Sequence, residues 1–260
     1  MADTNEIKLF YDSKVQQKNS VLTGVCGSEN SPLYLRAPYL FVENYLQAKN
    51  EYAGEKLRLL DLCCGTGVHA VKFAKLGYTV CGVDVSPLSI EKAKILAKEF
   101  NVAERITFMT DEIDWELDFP DGSFDVVFIS GSLYYLNFAK IIPEILRILK
   151  KQGLFICIET NGSNFIINFI RKVKNMFLGY RDQRTISNLL RLKDVKKISQ
   201  LLSSSELKYF GFLTLLSCLL SWNNWLLEKW VKLALSLDDF FLNKLKLRVL
   251  GFKFVIISKK

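Results

Sequence analysis

The chain has 260 residues, half of them apolar, which is enough for a full core and excludes a disordered protein. Its net charge of +8 is unevenly spread: residues 1–160 hold 17 Lys/Arg against 21 Asp/Glu, and residues 161–260 hold 18 against 6. The basic C-terminal part suits a membrane surface, an anionic substrate or nucleic acid. The single histidine, His69, argues against a His-based metal site or a Ser-His-Asp triad, and no metal is expected.

In chain order, residues 1–56 read as an N-terminal helical cap. Pro38 is expected to open a helix with Tyr39, Val42, Tyr45 and Leu46 at helical spacing. Strand and helix then alternate. Residues 57–62 read as a buried strand, and a helix from Val68 to Lys75 is stopped by Gly77. Tyr78 to Val83 is a second strand. Ser86 and Pro87 make an N-cap and N1 pair for a helix running to about Phe100. Ile106 to Met109 and Phe124 to Ser130 are further strands, Ile141 to Leu149 is helical, and Leu154 to Ile158 is a fifth strand. Apolar strands alternating with helices predict a parallel sheet covered on both faces.

Residues 161–260 break the rhythm. A basic, apolar stretch runs from Phe165 to Tyr180, Leu189 to Leu202 reads as a helix, and Leu207 to Leu215 as a sixth strand. Leu216 to Leu242 is rich in Leu and Trp, and Phe252 to Ile257 reads as a final strand. The charge-poor run from Tyr209 to Leu227 has 19 residues, near the ~20 that span a bilayer. A strand followed by an amphipathic or buried helix is the preferred reading. The six cysteines include no C-x-x-C pair, and the N-terminus has neither a basic nor an apolar leader region. A cytoplasmic protein with reduced thiols is expected, with membrane association open.

The strongest motif is Asp61-Leu62-Cys63-Cys64-Gly65-Thr66-Gly67, set between a strand and a helix. Glycine there allows a tight turn and close approach of a ligand. Such a turn lies at the carboxyl edge of the sheet, where open α/β sheets bind ligands. Asp84, ending the next strand, can accept hydrogen bonds from both ribose hydroxyls; Asp111, after the third strand, can accept from an adenine amine. The glycine pattern also fits a loose NAD fingerprint.

LLDLCCGTG resembles motif I of class I S-adenosylmethionine (SAM)-dependent methyltransferases. VCGVDVSPLSIEKAK, MTDEIDWELDFPDGSFDVVFISGSLYYL and LKKQGLFICIE resemble the later motifs in order, so the resemblance covers residues 57–160. It implies a Rossmann-like α/β fold of seven strands, mostly parallel, with helices on both faces. The last strand is antiparallel, with an N-terminal helical cap and C-terminal helical insertions. Residues 57–160 would be the SAM-binding core, and 161–260 the rest of that domain, carrying substrate- or membrane-facing insertions. By the same resemblance Asp61, Cys63, Gly65, Thr66 and Gly67 would hold the methionine half of SAM. Asp84 and Val85 would hold the ribose and adenine, with Asp111, Glu112 and Ile113 on the adenine amine side. Ser130 would lie near the methyl group. Asn30 to Arg36 is similar to the pre-motif of ubiquinone-pathway O-methyltransferases, which makes Arg36 a candidate for the SAM carboxylate. Gly131-Ser132-Leu133-Tyr134-Tyr135 departs from that group's Glu-x-x-Glu-His-type run and points away from quinone precursors.

Four residues are candidates for a catalytic role: His69, Tyr134, Glu159 and Tyr11. Each also has a plain structural reading, as a packing residue or a polar strand end. No N-P-P-Y-type motif follows the fourth strand, so amine methylation of DNA or protein is not indicated. The favoured reading is methyl transfer from SAM, giving S-adenosylhomocysteine, to oxygen or carbon of a small or lipid-like acceptor. Peripheral membrane contact through residues 161–180 and 209–250 accompanies it. A nucleic-acid methyltransferase and a catalytically silent SAM-binding partner subunit are the alternatives.

Overall fold

In the computed structural model the described residues are 12, 33–51, 56–113, 116–178, 188–220 and 224–260. Tyr11 lies outside them. The apolar runs pair into one sheet: β1 (Arg58–Leu62), β2 (Thr79–Asp84), β3 (Ile106–Thr110), β4 (Phe124–Ser130), β5 (Leu149–Thr160), β6 (Ser205–Phe210) and β7 (Lys253–Lys259). Their spatial order is β3-β2-β1-β4-β5-β7-β6. β1 to β5 are parallel, and β7 runs antiparallel to both β5 and β6. The expected fold class is therefore the observed one.

Seven α-helices are described: α1 (Leu33–Glu51), α2 (Val68–Lys75), α3 (Pro87–Glu99), α4 (Phe138–Ile148), α5 (Phe165–Leu178), α6 (Leu192–Leu201) and α7 (Asn224–Asp238). Alternation along each strand sends successive side chains to opposite faces. Leu59, Val80, Val126, Phe128 and Ile156 pack under α1, α2 and α3, around Val42, Phe73 and Leu96. Leu60, Leu62, Val127, Ile129 and Phe155 pack under α4 and α6, around Ile142, Ile145 and Ile198. Each fully buried aliphatic or Phe contributes about 1.5–3 kcal/mol.

Local signals account for several boundaries. Ser86 caps α3, its Oγ accepting from Ser89 N at 3.0 Å, with Pro87 in the first turn. Asn137 Oδ1 accepts from Ala139 N at 3.2 Å at the start of α4. Gly77, at φ +98°, follows α2 as expected.

Other boundaries differ from expectation. α1 begins at Leu33, so Pro38 lies inside it rather than opening it. A proline one turn in removes a single early hydrogen bond, which a helix packed along the sheet tolerates. β5 begins at Leu149, not Leu154: Phe124 pairs with Leu149 and Val126 with Leu154, so the intervening residues form a bulge with Gln152 at φ +65°. β6 ends at Phe210. The charge-poor run beyond it divides between a 3-10 segment, Leu213–Leu220, and α7. Among the described residues no helix is long and apolar enough to cross a membrane.

Candidate functional site

The strand order reverses between β1 and β4, and the crevice outside the carboxyl ends of such strands is the natural ligand site. After β1 the chain turns sharply. Cys63 has φ +59°, Gly65 +53° and Gly67 +76°. Left-handed backbone at a residue with a side chain, as at Cys63, is held in place by its surroundings. Here Cys64 N donates to Val83 O at 2.9 Å and Gly67 N to Cys64 O at 3.0 Å.

The two glycines of this turn have different reasons. A Cβ on Gly67 would lie 2.7 Å from Ala93 Cβ and 3.0 Å from the Phe108 ring, so close packing of α3 and β3 excludes a side chain. A Cβ on Gly65 would meet nothing within 4 Å, so its space opens outward from the turn.

Two carboxylates frame the turn. Asp84 Oδ2 accepts from Gly65 N at 2.8 Å and Oδ1 from Ser86 N at 3.0 Å. Each oxygen keeps a further lone pair. Burial pushes the Asp84 carboxyl above the usual range, the two backbone donors oppose this, and Asp12 adds to it. Asp12 itself accepts from Ser86 Oγ. Asp61, near the end of β1, accepts from the Ala70 backbone in the first turn of α2, while its Oδ2 is buried with no hydrogen-bond partner. Burial first, then the charge of Asp84, drives the Asp61 carboxyl well up.

The neighbouring strands bring in the rest. Asp111 N donates to Asp84 O at 3.1 Å, which sets Asp111 beside Asp84 at the same edge. Asp111 and Glu112 are exposed, Val85 and Thr66 are half-buried, and Ile113 packs on the core. Ser130 ends β4. Its Oγ lies 3.0 Å from the Tyr39 hydroxyl, to which buried Lys253 donates at 3.2 Å. The Tyr39 ring stacks on His69 at 4.7 Å, and Lys253 Nζ lies 5.1 Å from the Tyr39 ring centre. Arg36 is half-buried on α1, one turn before Tyr39.

Glu159, at the end of β5, is fully buried. Its Oε1 accepts from Ser132 N at 2.9 Å and Leu133 N at 2.6 Å, fixing the loop after β4; its Oε2 has no hydrogen-bond partner. Burial pushes its carboxyl up to about 7 against those donors and Lys253. Tyr134 packs against Tyr135 at 4.3 Å in that loop.

The motif residues of β1, β2 and β4 thus meet at one edge with His69 and Glu159. Sequence reasoning missed Lys253, Tyr39 as a polar group, and Asp12. The one signal for Lys253 was a lysine interrupting an apolar final strand.

The sequence profile of a methyltransferase domain matches residues 59–153. An uncharacterized methyltransferase of Synechocystis sp. is 33% identical over 105 residues, 39% of this chain and 46% of that protein. The demethylmenaquinone methyltransferase of Leptospira interrogans is 29% identical over 170 residues, 64% of this chain and 62% of that protein. The chain thus spans about half to three-fifths of the length of these relatives. A geranyl diphosphate C-methyltransferase from Streptomyces coelicolor has the same fold over 100% of this chain and 98% of its own, with TM-score 0.62 and 14% identity.

Residues 59–153 carry a methyltransferase domain, in the fold that SAM-dependent methyltransferases share. The cofactor of that class is SAM. Three observations at the site fit an adenosyl-sulfonium ligand: open space over Gly65, the remaining acceptor capacity of Asp84, and the buried, unpartnered Asp61 oxygen.

Proposed function

We propose that this chain binds SAM across the β1 turn and transfers its methyl group to oxygen or carbon of a small or lipid-like acceptor. The observation that carries this reading is the pairing of an open, left-handed turn at Gly65 with the Asp84 carboxylate, inside the segment matched as a methyltransferase domain. When bound, SAM supplies a methyl group already activated by a sulfonium leaving group.

The protein's part is then placement. Cys63, Gly65, Thr66, Gly67 and Asp61 hold the methionine half, with Asp61 Oδ2 as acceptor for its amine. Asp84 takes the ribose hydroxyls, Val85 covers the adenine, and Asp111, with Glu112 and Ile113 beside it, takes the adenine amine. Arg36 answers the cofactor carboxylate. Ser130, Tyr39 and Lys253 border the acceptor side and orient its polar atom towards the methyl, in line with the breaking bond. Glu159 fixes the loop that carries Tyr134. The division at residues 56 and 160 follows from this: a helical cap, a cofactor core, and a C-terminal part that shapes the acceptor side.

A lipid-like acceptor is supported by the basic, apolar composition of residues 161–260 and by the demethylmenaquinone relative. The loop Gly131–Tyr135 supports an acceptor other than a quinone precursor.

Calorimetric titration with SAM, S-adenosylhomocysteine and NAD tests the central claim. Micromolar binding of the first two and none of NAD is expected. Binding of NAD alone would overturn it. SAM binding with no methyl transfer to any acceptor would leave a silent SAM-binding subunit instead.

A further inference from the structure

Helix α5 is attached to the body by one side. Asn161 Nδ2 donates to Arg248 O at 2.8 Å and Gly251 O at 3.0 Å, and Asn164 Nδ2 to Leu250 O at 2.6 Å, tying its N-terminus to the 3-10 turn Arg248–Leu250. Arg171 lies over the Phe252 ring at 5.5 Å, and Asn168 Nδ2 donates to Gly162 O at 2.7 Å.

The other side is apolar and open. Phe165, Phe169 and Met176 are 64, 69 and 72% exposed, and Ile166, Ile170 and Val173 are exposed beside them. At 100° per residue these six positions fall in one stripe, opposite Arg171. Exposed Lys172 borders it, and α5 contains no acidic residue. Leu245 and Leu247, just before the turn that anchors α5, are exposed as well.

We propose that α5 is an in-plane membrane anchor that seats this apolar stripe in an anionic phospholipid surface. Its 14 residues reach only about 21 Å, short of the ~30 Å hydrocarbon core, so it lies along the interface rather than across it. The chemistry of the face selects the occupant. Aromatic and aliphatic side chains enter the acyl boundary while flanking cations meet lipid phosphates. Nucleic acid can stack bases on Phe165 and Phe169 but offers nothing to the aliphatic Ile166, Ile170 and Val173 beside them. A second copy would bring two surfaces together from a region holding 18 Lys/Arg against 6 Asp/Glu, which repel. A site so placed would take its acceptor from the bilayer.

Vesicle flotation of the whole chain tests this, without reference to methyl transfer. Vesicles of phosphatidylcholine containing phosphatidylglycerol should carry the protein at low salt, and pure phosphatidylcholine should carry far less. A Phe165→Glu/Phe169→Glu variant should bind at least about tenfold more weakly, with an unchanged melting temperature because both side chains are exposed. Lys172→Glu should weaken binding less and reduce its salt dependence. Five outcomes would overturn the proposal. The protein fails to float with anionic vesicles at low salt, or the double variant floats as well as the parent. The double variant unfolds at lower temperature, placing the face against the chain itself. Or the parent dimerises, or is retained on RNA, through contacts that the double variant abolishes.

Discussion

Asp84 holds the first turn of the site and has capacity left over. A carboxylate that organises backbone and also takes ligand hydroxyls should be costly to remove. Asp84→Ala is expected to weaken SAM binding by about 1.5–3 kcal/mol, the worth of hydrogen bonds to a charged group. Calorimetry reads this, alongside circular dichroism to confirm folding. Glu159 makes a different prediction, through pH. Its carboxyl is raised from the ordinary 4.5 to about 7, chiefly by burial, with Lys253 on the adjacent strand opposing. The folded state therefore holds a proton that the unfolded state has released between these values. Stability from this group is full below about 4.5 and is lost as pH rises through about 7. Melting temperatures of the parent should fall across that window, and Glu159→Gln should remove part of the fall, the raised Asp61 and Asp84 carboxyls contributing the rest. A parent curve that rises there would refute the assignment.

At the scale of elements, the β1–α2 turn separates packing from binding. Gly67→Ala forces a Cβ to 2.7 Å from Ala93 in addition to the left-handed backbone penalty at its φ of +76°, and should lower stability by about 2–5 kcal/mol. Gly65→Ala meets open space and carries only the left-handed backbone penalty of about 1–2 kcal/mol. We expect Gly67→Ala to act mainly on melting temperature and Gly65→Ala mainly on SAM affinity. Asp238, buried at the end of α7, does similar work for the C-terminal part. Its oxygens accept from Phe212 N at 3.1 Å, Leu213 N at 2.6 Å, Thr214 N at 3.3 Å and Thr214 Oγ1 at 2.7 Å. Asp238→Ala would strand these buried donors and should destabilise by about 3 kcal/mol or more. Hydrogen exchange should rise first across residues 212–220 and 224–244 and leave the β1 turn protected.

Across the whole molecule, charge divides along the chain. The strands that build the cofactor edge lie in the acidic first 160 residues, and the basic excess lies in the part that covers β6 and β7. β7 joins the two parts: it pairs with β5 along Leu154 to Thr160 and with β6 along Ser205 to Phe210. It also delivers Lys253 to Tyr39 of α1, more than two hundred residues earlier in the chain. The polar contact beside Ser130 is therefore assembled from the first described helix and the last strand together.

The sequence by itself determined what local chemistry controls. The limits of α2 and β4, the Ser86 cap, the glycine turn and the acidic strand end at Asp84 follow from hydrogen-bonding and backbone preferences acting within a few residues. The seven-stranded, mostly parallel sheet with an antiparallel last strand came with the resemblance of residues 57–160, whereas the strand order came from the structure. Only the tertiary structure decided which polar groups share a buried space. Lys253, Tyr39, Ser130 and His69 come from four separate elements, and no local preference links them. The bulge at the start of β5 and the interior position of Pro38 were likewise set by packing against the sheet, which overrides the local turn and helix-start signals.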